Sequence, residues 1–323
     1  MFRKIFWLFL PLAIGCNQST EVDLSQIKQE SEFKRFDQAF FESDTAKMPT
    51  EIDRLAKDFP EFFSGGKTLR FWKSQRTDPN QQELYKATQD VFFDFKEVNE
   101  NLNFSMKHLY HYFPNTPPIT FYSYISNLDM EYPVLFAPQA QVCFAGMDNY
   151  LGPDKKYYQG VDSYLAFYRQ PTFMVRDCIE AISEIHINRK REAANLLDDM
   201  LYYGRALYIL QKVMPQKEPA VIIKYPPEKI GFCQKNERTM WAYFVENDLL
   251  FDTNQDLKRR FIELAPFSKF RTKLDAETPG MVGRWVGWQV IKSFMENNPD
   301  VTVAQLANET DSQKMLKLSG YKP

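Results

Sequence analysis

The chain has 323 residues, with 40 Lys and Arg against 42 Asp and Glu, 44% hydrophobic side chains and 15% aromatic ones. That length and apolar content fill a sizeable core and exclude disorder over most of the chain. A formal net charge of −2 without a basic stripe argues against nucleic acid as the main partner, and 12 Gly and 19 Pro without a period exclude collagen-like and low-complexity classes.

The chain opens with Met1-Phe2-Arg3-Lys4, an apolar run from Ile5 to Ile14, and Gly15-Cys16. A basic start, a short apolar stretch and a small residue at the break read as a secretory signal peptide over residues 1–15. The run is about half the ~20 residues that a spanning helix needs. Leu12-Ala13-Ile14-Gly15-Cys16 is similar to a bacterial lipobox, in which the cysteine becomes the first mature residue and carries several acyl chains, enough for stable anchoring. Cys16 is the expected lipidation site; the alternative is an ordinary signal peptide with a chance cysteine. Residues 16–30 read as the lipidated cysteine and a flexible tether, polar apart from Val22, Leu24 and Ile27. Asn17 is not an inner-membrane retention aspartate, and Glu21 and Asp23 are isolated rather than clustered. The expectation is an outer-membrane anchor with the body facing the periplasm.

Beyond the tether, Phe33, Phe36, Phe40 and Phe41 have helical spacing, and a second short helix begins near Glu51 and closes on Phe59-Pro60-Glu61-Phe62-Phe63. Gly65-Gly66 is a break. One long amphipathic helix is predicted over 80–107, carrying on towards Leu109, with Leu84, Val91, Phe92, Phe95, Val98 and Leu102 inward. Strands are predicted over 119–125, 134–136 and 141–145, the last two as a hairpin or its neighbour. From Pro171 the pattern is helical: 173–187, 193–213, a helix from Pro226-Pro227 to about Gln234, another over 237–244, and a nearly all-apolar, central helix over 281–295. Thr278-Pro279-Gly280 reads as the opening of that last helix, a hydroxyl cap followed by proline in the first turn. No linker divides residues 31–323, so they are expected to form a single globular domain, a helical shell around a small sheet between 117 and 146.

Catalytic motifs are scarce. His108 and His111 stand three apart, but zinc needs three or four ligands, His186 is the only other histidine, and no H-E-x-x-H occurs. There is no G-x-S-x-G elbow, P-loop or G-x-G-x-x-G. No catalytic residue, metal ligand or cofactor is assigned. Besides Cys16 there are Cys143, Cys178 and Cys233, which allow at most one disulfide with one thiol left over; each adjoins an apolar residue, so buried free thiols are favoured.

Two constellations stand above this background. Asp148-Asn149-Tyr150-Leu151-Gly152-Pro153 closes the strand region and reads either as a turn locking sheet to helix or as part of a functional surface; Asp148, Tyr150 and Gly152 are its candidates. Gly283-Arg284-Trp285-Val286-Gly287-Trp288-Gln289 has two glycines four apart on a helix, where another backbone can approach closely, with Trp285 and Trp288 beside them. Each glycine costs roughly 1 kcal/mol of helix propensity against alanine, so packing or function should compensate. A buried Arg284 needs a carboxylate or carbonyl partner, and is either a structural ion pair or an anchor for a ligand or partner.

The same stretches carry a family resemblance. Phe36-Asp37-x-x-Phe40-Phe41, Tyr110-His111-Tyr112-Phe113-Pro114, Asp148-x-Tyr150-Leu151-Gly152, Asn236-Glu237-x-x-x-Trp241, Ala265-Pro266-Phe267-Ser268, Pro279-Gly280-x-x-Gly283-Arg284-Trp285-x-Gly287-Trp288-Gln289 and Gly320-Tyr321-Lys322-Pro323 occur in this order after Cys16. In them the chain resembles the GldB family of gliding-motility lipoproteins of Bacteroidota, over essentially its whole length. The resemblance implies an outer-membrane lipoprotein required for gliding, a motility linked to type IX secretion, whose partners are the membrane and other gliding or type IX secretion envelope proteins. It implies no reaction. Family members also look distantly like H-E-x-x-H zinc peptidases; here the corresponding helix reads Arg176-Asp177-Cys178-Ile179-Glu180, and Tyr203-Gly204-Arg205-Ala206 stands where such peptidases offer Glu-Gly-x-Ala.

The expected fold is α+β and mostly α-helical, a helical shell around a small β-sheet that resembles a degenerate zincin-type metallopeptidase fold. The expected function is a non-catalytic, periplasm-facing component or assembly factor of the gliding machinery. A periplasmic hydrolase would instead show a deep polar pocket with several carboxylates or with His108 and His111 together. A lipid or small-ligand binder would show an apolar cavity.

Overall fold

A computed structural model describes residues 22–154, 156–190, 194–271, 275 and 277–323. The signal peptide and Cys16 lie outside the described residues. Four strands, β1 (Phe33–Arg35), β2 (Thr120–Tyr124), β3 (Val134–Ala137) and β4 (Val142–Gly146), form one sheet in the order β1-β2-β4-β3. β1 and β4 flank β2 in parallel, and β3 pairs with β4 as the predicted antiparallel hairpin, with Phe136 opposite Cys143.

Before β2 come α1 (Phe36–Phe41), α2 (Met48–Asp58), α3 (Pro60–Phe63), α4 (Leu69–Thr77), α5 (Pro79–Val91) and α6 (Phe95–Tyr112). After β4 come α7 (Ser163–Ala166), α8 (Phe173–Glu184), α9 (Leu196–Val213), α10 (Pro219–Ile223), α11 (Pro227–Glu246), α12 (Gln255–Phe261), α13 (Val282–Asn297), α14 (Val303–Asn308) and α15 (Ser312–Ser319). The architecture is α+β and mostly helical, as expected. No described helix is long and apolar enough to cross a membrane.

Alternation along the strands gives the sheet two different faces. Phe33, Phe121, Cys143 and Ala145 face the main core, built on α6, α8, α9, α11 and α13. Tyr122, Val142 and Phe144 face an aromatic cap from α1–α4, in which Phe36 stacks on Phe62 at 3.8 Å and Phe63 lies 4.4 Å from Trp72. α13 packs along α9 at the centre of the main core, and α8 runs beneath β3 and β4. Ile27 packs against the main core, and Glu30 accepts hydrogen bonds from Lys107 and Asn103 of α6, so this end of the segment before β1 docks on the body.

Several predicted elements are corrected. Phe33 belongs to β1, because residues 33–35 pair with β2, and the helix starts only at Phe36. The sheet therefore extends beyond the 117–146 segment. The second short helix is two, interrupted at Phe59, the residue ahead of Pro60, where proline disfavours helical backbone. The long helix over 80–107 is also two. Phe92 turns into the core, Phe93 is exposed, and the Asp94 carboxylate accepts the Glu97 N–H to start α6. Conversely, 227–246 is a single helix, with no proline to interrupt it.

The opening of α13 differs too. Met281 is its left-handed N-cap (φ 57°), so Thr278 and Pro279 lie ahead of the helix, and the capping hydroxyl comes from Ser268, whose Oγ accepts the Val282 N–H at 3.1 Å. Gly280 allows this approach: a Cβ there would sit 2.0 Å from the Ala265 carbonyl oxygen.

Candidate functional site

α8 carries a break in its own apolar pattern. Phe173, Met174, Val175, Cys178, Ile179 and Ile182 are buried, and among them stand Arg176, Asp177 and Glu180. Arg176 is only 2% exposed. Its Nε and Nη2 donate to the Ile222 carbonyl at 3.1 and 2.7 Å, Nη2 also to Glu180 Oε1 at 2.8 Å, and Nη1 to Asp177 Oδ1 at 2.9 Å and to Glu180 Oε2. Asp177 in turn accepts from Lys224 Nζ at 2.9 Å and from the Tyr150 hydroxyl at 2.9 Å. Lys224 reaches it from the left-handed residue (φ 55°) that ends α10.

Each group's titration is shifted by its neighbours. Burial raises the pKa of the Asp177 carboxyl, but Lys224 and Arg176 outweigh it and hold the pKa below its ordinary value. Burial likewise works against the ionised Glu180, and Arg176 outweighs it. Arg176 loses hydration, yet Glu180 and Asp177 hold its pKa above the ordinary value. The α8 wall is thus a charge-matched network of two cations and two carboxylates.

This network lines one side of a cavity of about 310 Å³, at the lower end of the roughly 300–1,000 Å³ of small-ligand sites. Tyr203 of α9 and Arg284 of α13 line it too. Arg284 Nε donates to the Ile262 carbonyl at 2.7 Å, and its guanidinium lies 4.0 Å from the centre of the Tyr203 ring. Arg169 also lines it, held by long contacts to Asn149 Oδ1 (3.3 Å) and the Met130 carbonyl (3.4 Å), with its buried Nε unpartnered. Among the described residues neither Arg169 nor Arg284 forms an ion pair. Glu131 stands exposed among the lining residues.

The structure brings one residue from each predicted constellation, Tyr150 and Arg284, into this cavity. The others hold the fold around it. Buried Asp148 accepts the Ser126 and Leu128 N–H groups at 2.8 and 2.6 Å, fixing the loop after β2. Gly152 (φ 105°) donates its N–H to the Arg169 carbonyl at 2.8 Å. Gly283 lies against Phe261 and Ile262, and Gly287 against the Met200 backbone of α9. Trp285 and Trp288 are buried, with Lys292 Nζ 3.9 Å from the Trp288 ring. Arg284 takes the carbonyl alternative rather than an ion pair.

The histidines are separated by environment. His108 is buried with Nδ1 2.9 Å from the Phe104 carbonyl, His111 is exposed, and His186 stacks on Phe113 and bonds Thr116 at 3.0 Å. Among the described residues no three His, Cys, Asp or Glu side chains are arranged to hold a metal. The three cysteines are free and buried.

Sequence reasoning missed Arg169, Lys224 and the role of Arg176, Asp177 and Glu180. For the α8 residues the signal was present: an Arg and a Glu four apart inside an apolar stripe. Lys224 and Arg169 come from distant loops and left no such trace. A larger open groove of about 1070 Å³ lies at the far end of α8, but its cations are partly committed, Arg189 to Asp199 at 2.8 Å and Lys190 to Asp198 at 3.0 Å.

Fold and site together define a mostly helical α+β protein built around a small charge-lined cavity. Residues 17–323 match the family described as gliding motility protein GldB, and the chain belongs to that family. No curated protein and no solved structure matches it. Membership supports a role in gliding motility, in the company of other components of that machinery.

Proposed function

We propose that the protein is a lipoprotein anchored through Cys16 in the outer membrane, faces the periplasm, and serves gliding motility without catalysis, through protein contacts that assemble or support the gliding and type IX secretion machinery. Family membership carries the motility part. The lipobox-like sequence supports anchoring through Cys16, and the α8 network supports the non-catalytic part: on the resemblance to H-E-x-x-H peptidases, the corresponding helix here carries Arg176 with Asp177 and Glu180 both committed to it. In this reading the body is a zinc-peptidase fold put to use as a scaffold.

The hydrolase alternative is favoured by one observation, the three carboxylates Glu131, Asp177 and Glu180 around one polar cavity. Against it, Asp177 and Glu180 are held ionised and ion-paired, which suits neither a general acid nor a free base. A lipid-binding role has less support, because the aromatic rings pack on one another and the mainly apolar pocket beside Phe232, Met240 and Phe270 is only about 120 Å³.

The test is deletion of the gene in a gliding host, followed by complementation with wild type, Cys16→Ala, and the charge-removing Asp177→Asn and Glu180→Gln. The proposal expects deletion to abolish gliding, Cys16→Ala to fail, and either cavity variant to restore gliding wherever it accumulates normally. Gliding that survives deletion overturns the motility role. A cavity variant that is stably present yet inactive favours the hydrolase.

A further inference from the structure

The cavity holds more cationic capacity than the α8 network consumes. Asp177 and Glu180 are answered by Arg176 and Lys224, and neither Arg284 nor Arg169 forms an ion pair among the described residues; Glu184 acts on Arg284 only at longer range, and Glu131 is exposed at the cavity. Arg284 is also held in place. Its Nε bond to Ile262 and its seat on the Tyr203 ring fix the guanidinium plane, and no hydrogen bond within the described protein occupies Nη1 or Nη2. A pinned guanidinium with both terminal nitrogens available matches the two oxygens of a carboxylate. Arg284 stands in the first turn of the 16-residue α13, whose N-terminal dipole adds positive potential. The Tyr168 and Tyr203 hydroxyls, also at the cavity, make no hydrogen bond among the described residues and can donate one.

We propose that this cavity binds the carboxylate of an organic acid with an apolar body, such as the C-terminal residue of a peptide chain, with Arg284 as the receptor for the carboxylate. The apolar body would rest against Leu207, Ile223, Leu264 and Met281, which complete the wall. A monoanion fits better than a phosphate, because Asp177 and Glu180 line the same small space and repel a second negative charge. This inference rests on the non-catalytic reading of the cavity, since it requires the ligand to be held rather than cleaved.

The experiment uses the full chain, solubilised in mild detergent, with four probes: N-acetylphenylalanine, its C-terminal amide, a pentapeptide ending in a free phenylalanine carboxylate, and inorganic phosphate. Calorimetry and ligand-observed NMR should show saturable binding of the acid and none of the amide. The pentapeptide binding as well as the acid, or better, identifies a chain terminus as the source; binding of the short acid alone identifies a free small acid. Arg284→Gln should weaken binding about 10–100-fold, and Arg284→Lys should recover only part, since an ammonium cannot grip both oxygens. Should Arg284→Gln not fold, the contrast between acid and amide on the unaltered protein still decides. Equal binding of acid and amide, no binding of either acid probe, or phosphate binding as well as the acid overturns the proposal. Consumption of the amide or the pentapeptide would instead overturn the non-catalytic reading, so the two failures are distinguishable.

Discussion

All five N–H donors of Arg176 are engaged, by two carboxylates and one carbonyl, at 2% exposure. Removing the cation leaves two facing carboxylates in a half-closed site, so Arg176→Met should cost about 3–5 kcal/mol in urea unfolding, the range for breaking a buried ion pair. The same network has a pH signature. Because Asp177 and Glu180 have pKa values below their unfolded ones, their contribution is complete above about pH 4.5 and is lost as pH falls through the lower, folded values. Glu184, one turn on, behaves oppositely. Its side chain is still exposed, but crowding by the groove walls and repulsion from Glu180 outweigh the pull of Arg284, Arg176 and Arg189, and its pKa rises to about 7. Its contribution is present below about pH 4.5 and disappears as pH rises through 7. Glu184→Gln should therefore raise the melting temperature by about 1–3 °C at pH 8 and leave it unchanged at pH 4, as read by calorimetry. A variant that melts with the wild-type pH dependence would refute that assignment. Of these residues, the α8 charges were visible as exceptions in an apolar stripe, but the direction of each shift also depends on burial and, for Asp177 and Glu180, on Lys224, which only folding brings near.

Glycine placement governs the central helix pair. A Cβ on Gly287 would lie 1.9 Å from the Met200 carbonyl oxygen, and one on Gly204 would lie 2.4 Å from the Gly287 backbone. α9 and α13 therefore meet backbone against backbone, and neither carbonyl can retreat as a flexible side chain could. Gly287→Ala should destabilise by about 3 kcal/mol, the upper part of the overpacking range. Gly231, exposed in α11 with nothing within 4 Å of an added Cβ, provides the contrast: Gly231→Ala should stabilise by about 0.5–1 kcal/mol through helix propensity. Equal effects in equilibrium unfolding would refute the close-packing explanation. The spacing of Gly283 and Gly287 announced a close approach, and the structure shows that its occupants are Ile262 and α9 of the same chain. Gly204, the other half of the contact, has no partner glycine at helical spacing in α9, so its role leaves no local sign in the sequence. The local cap Asp94-x-x-Glu97 was present in the sequence but was overridden by the continuous apolar period across it, whereas the cap of α13 comes from Ser268 in another segment and left no local trace.

At the scale of the molecule, the sheet divides an aromatic N-terminal cap from the larger helical core, and β1 joins them by carrying the start of the body to the edge of β2. Cys143 of β4 and Cys178 of α8 meet in the interior between the sheet and the main core. The Cys143 thiol beside it, together with burial, pushes the Cys178 pKa well above the ordinary thiol value, and burial raises that of Cys233. All three thiols are buried, and Cys178 and Cys233 also resist forming the reactive thiolate, so none of the three should label with maleimide in the native protein at pH 7–8, and all should label together on global unfolding. Early labelling of Cys143 or Cys178 alone would show that the sheet opens away from α8 independently of the rest.

Local pattern determined three of the four strand segments, most helices and the mostly helical α+β class, because apolar periodicity reports which side of an element leaves water. It also placed Gly287 at a close contact, while for Arg284 it left a carboxylate and a carbonyl partner open, and only the fold supplied the Ile262 carbonyl. Tertiary structure alone decided that β1 joins the sheet, that two predicted helices break and two others merge, and that Tyr150, Arg176, Lys224 and Arg284 surround one cavity. Strand pairing, capping from a distant loop and charge convergence depend on residues tens to more than a hundred positions apart, and no local period records those separations.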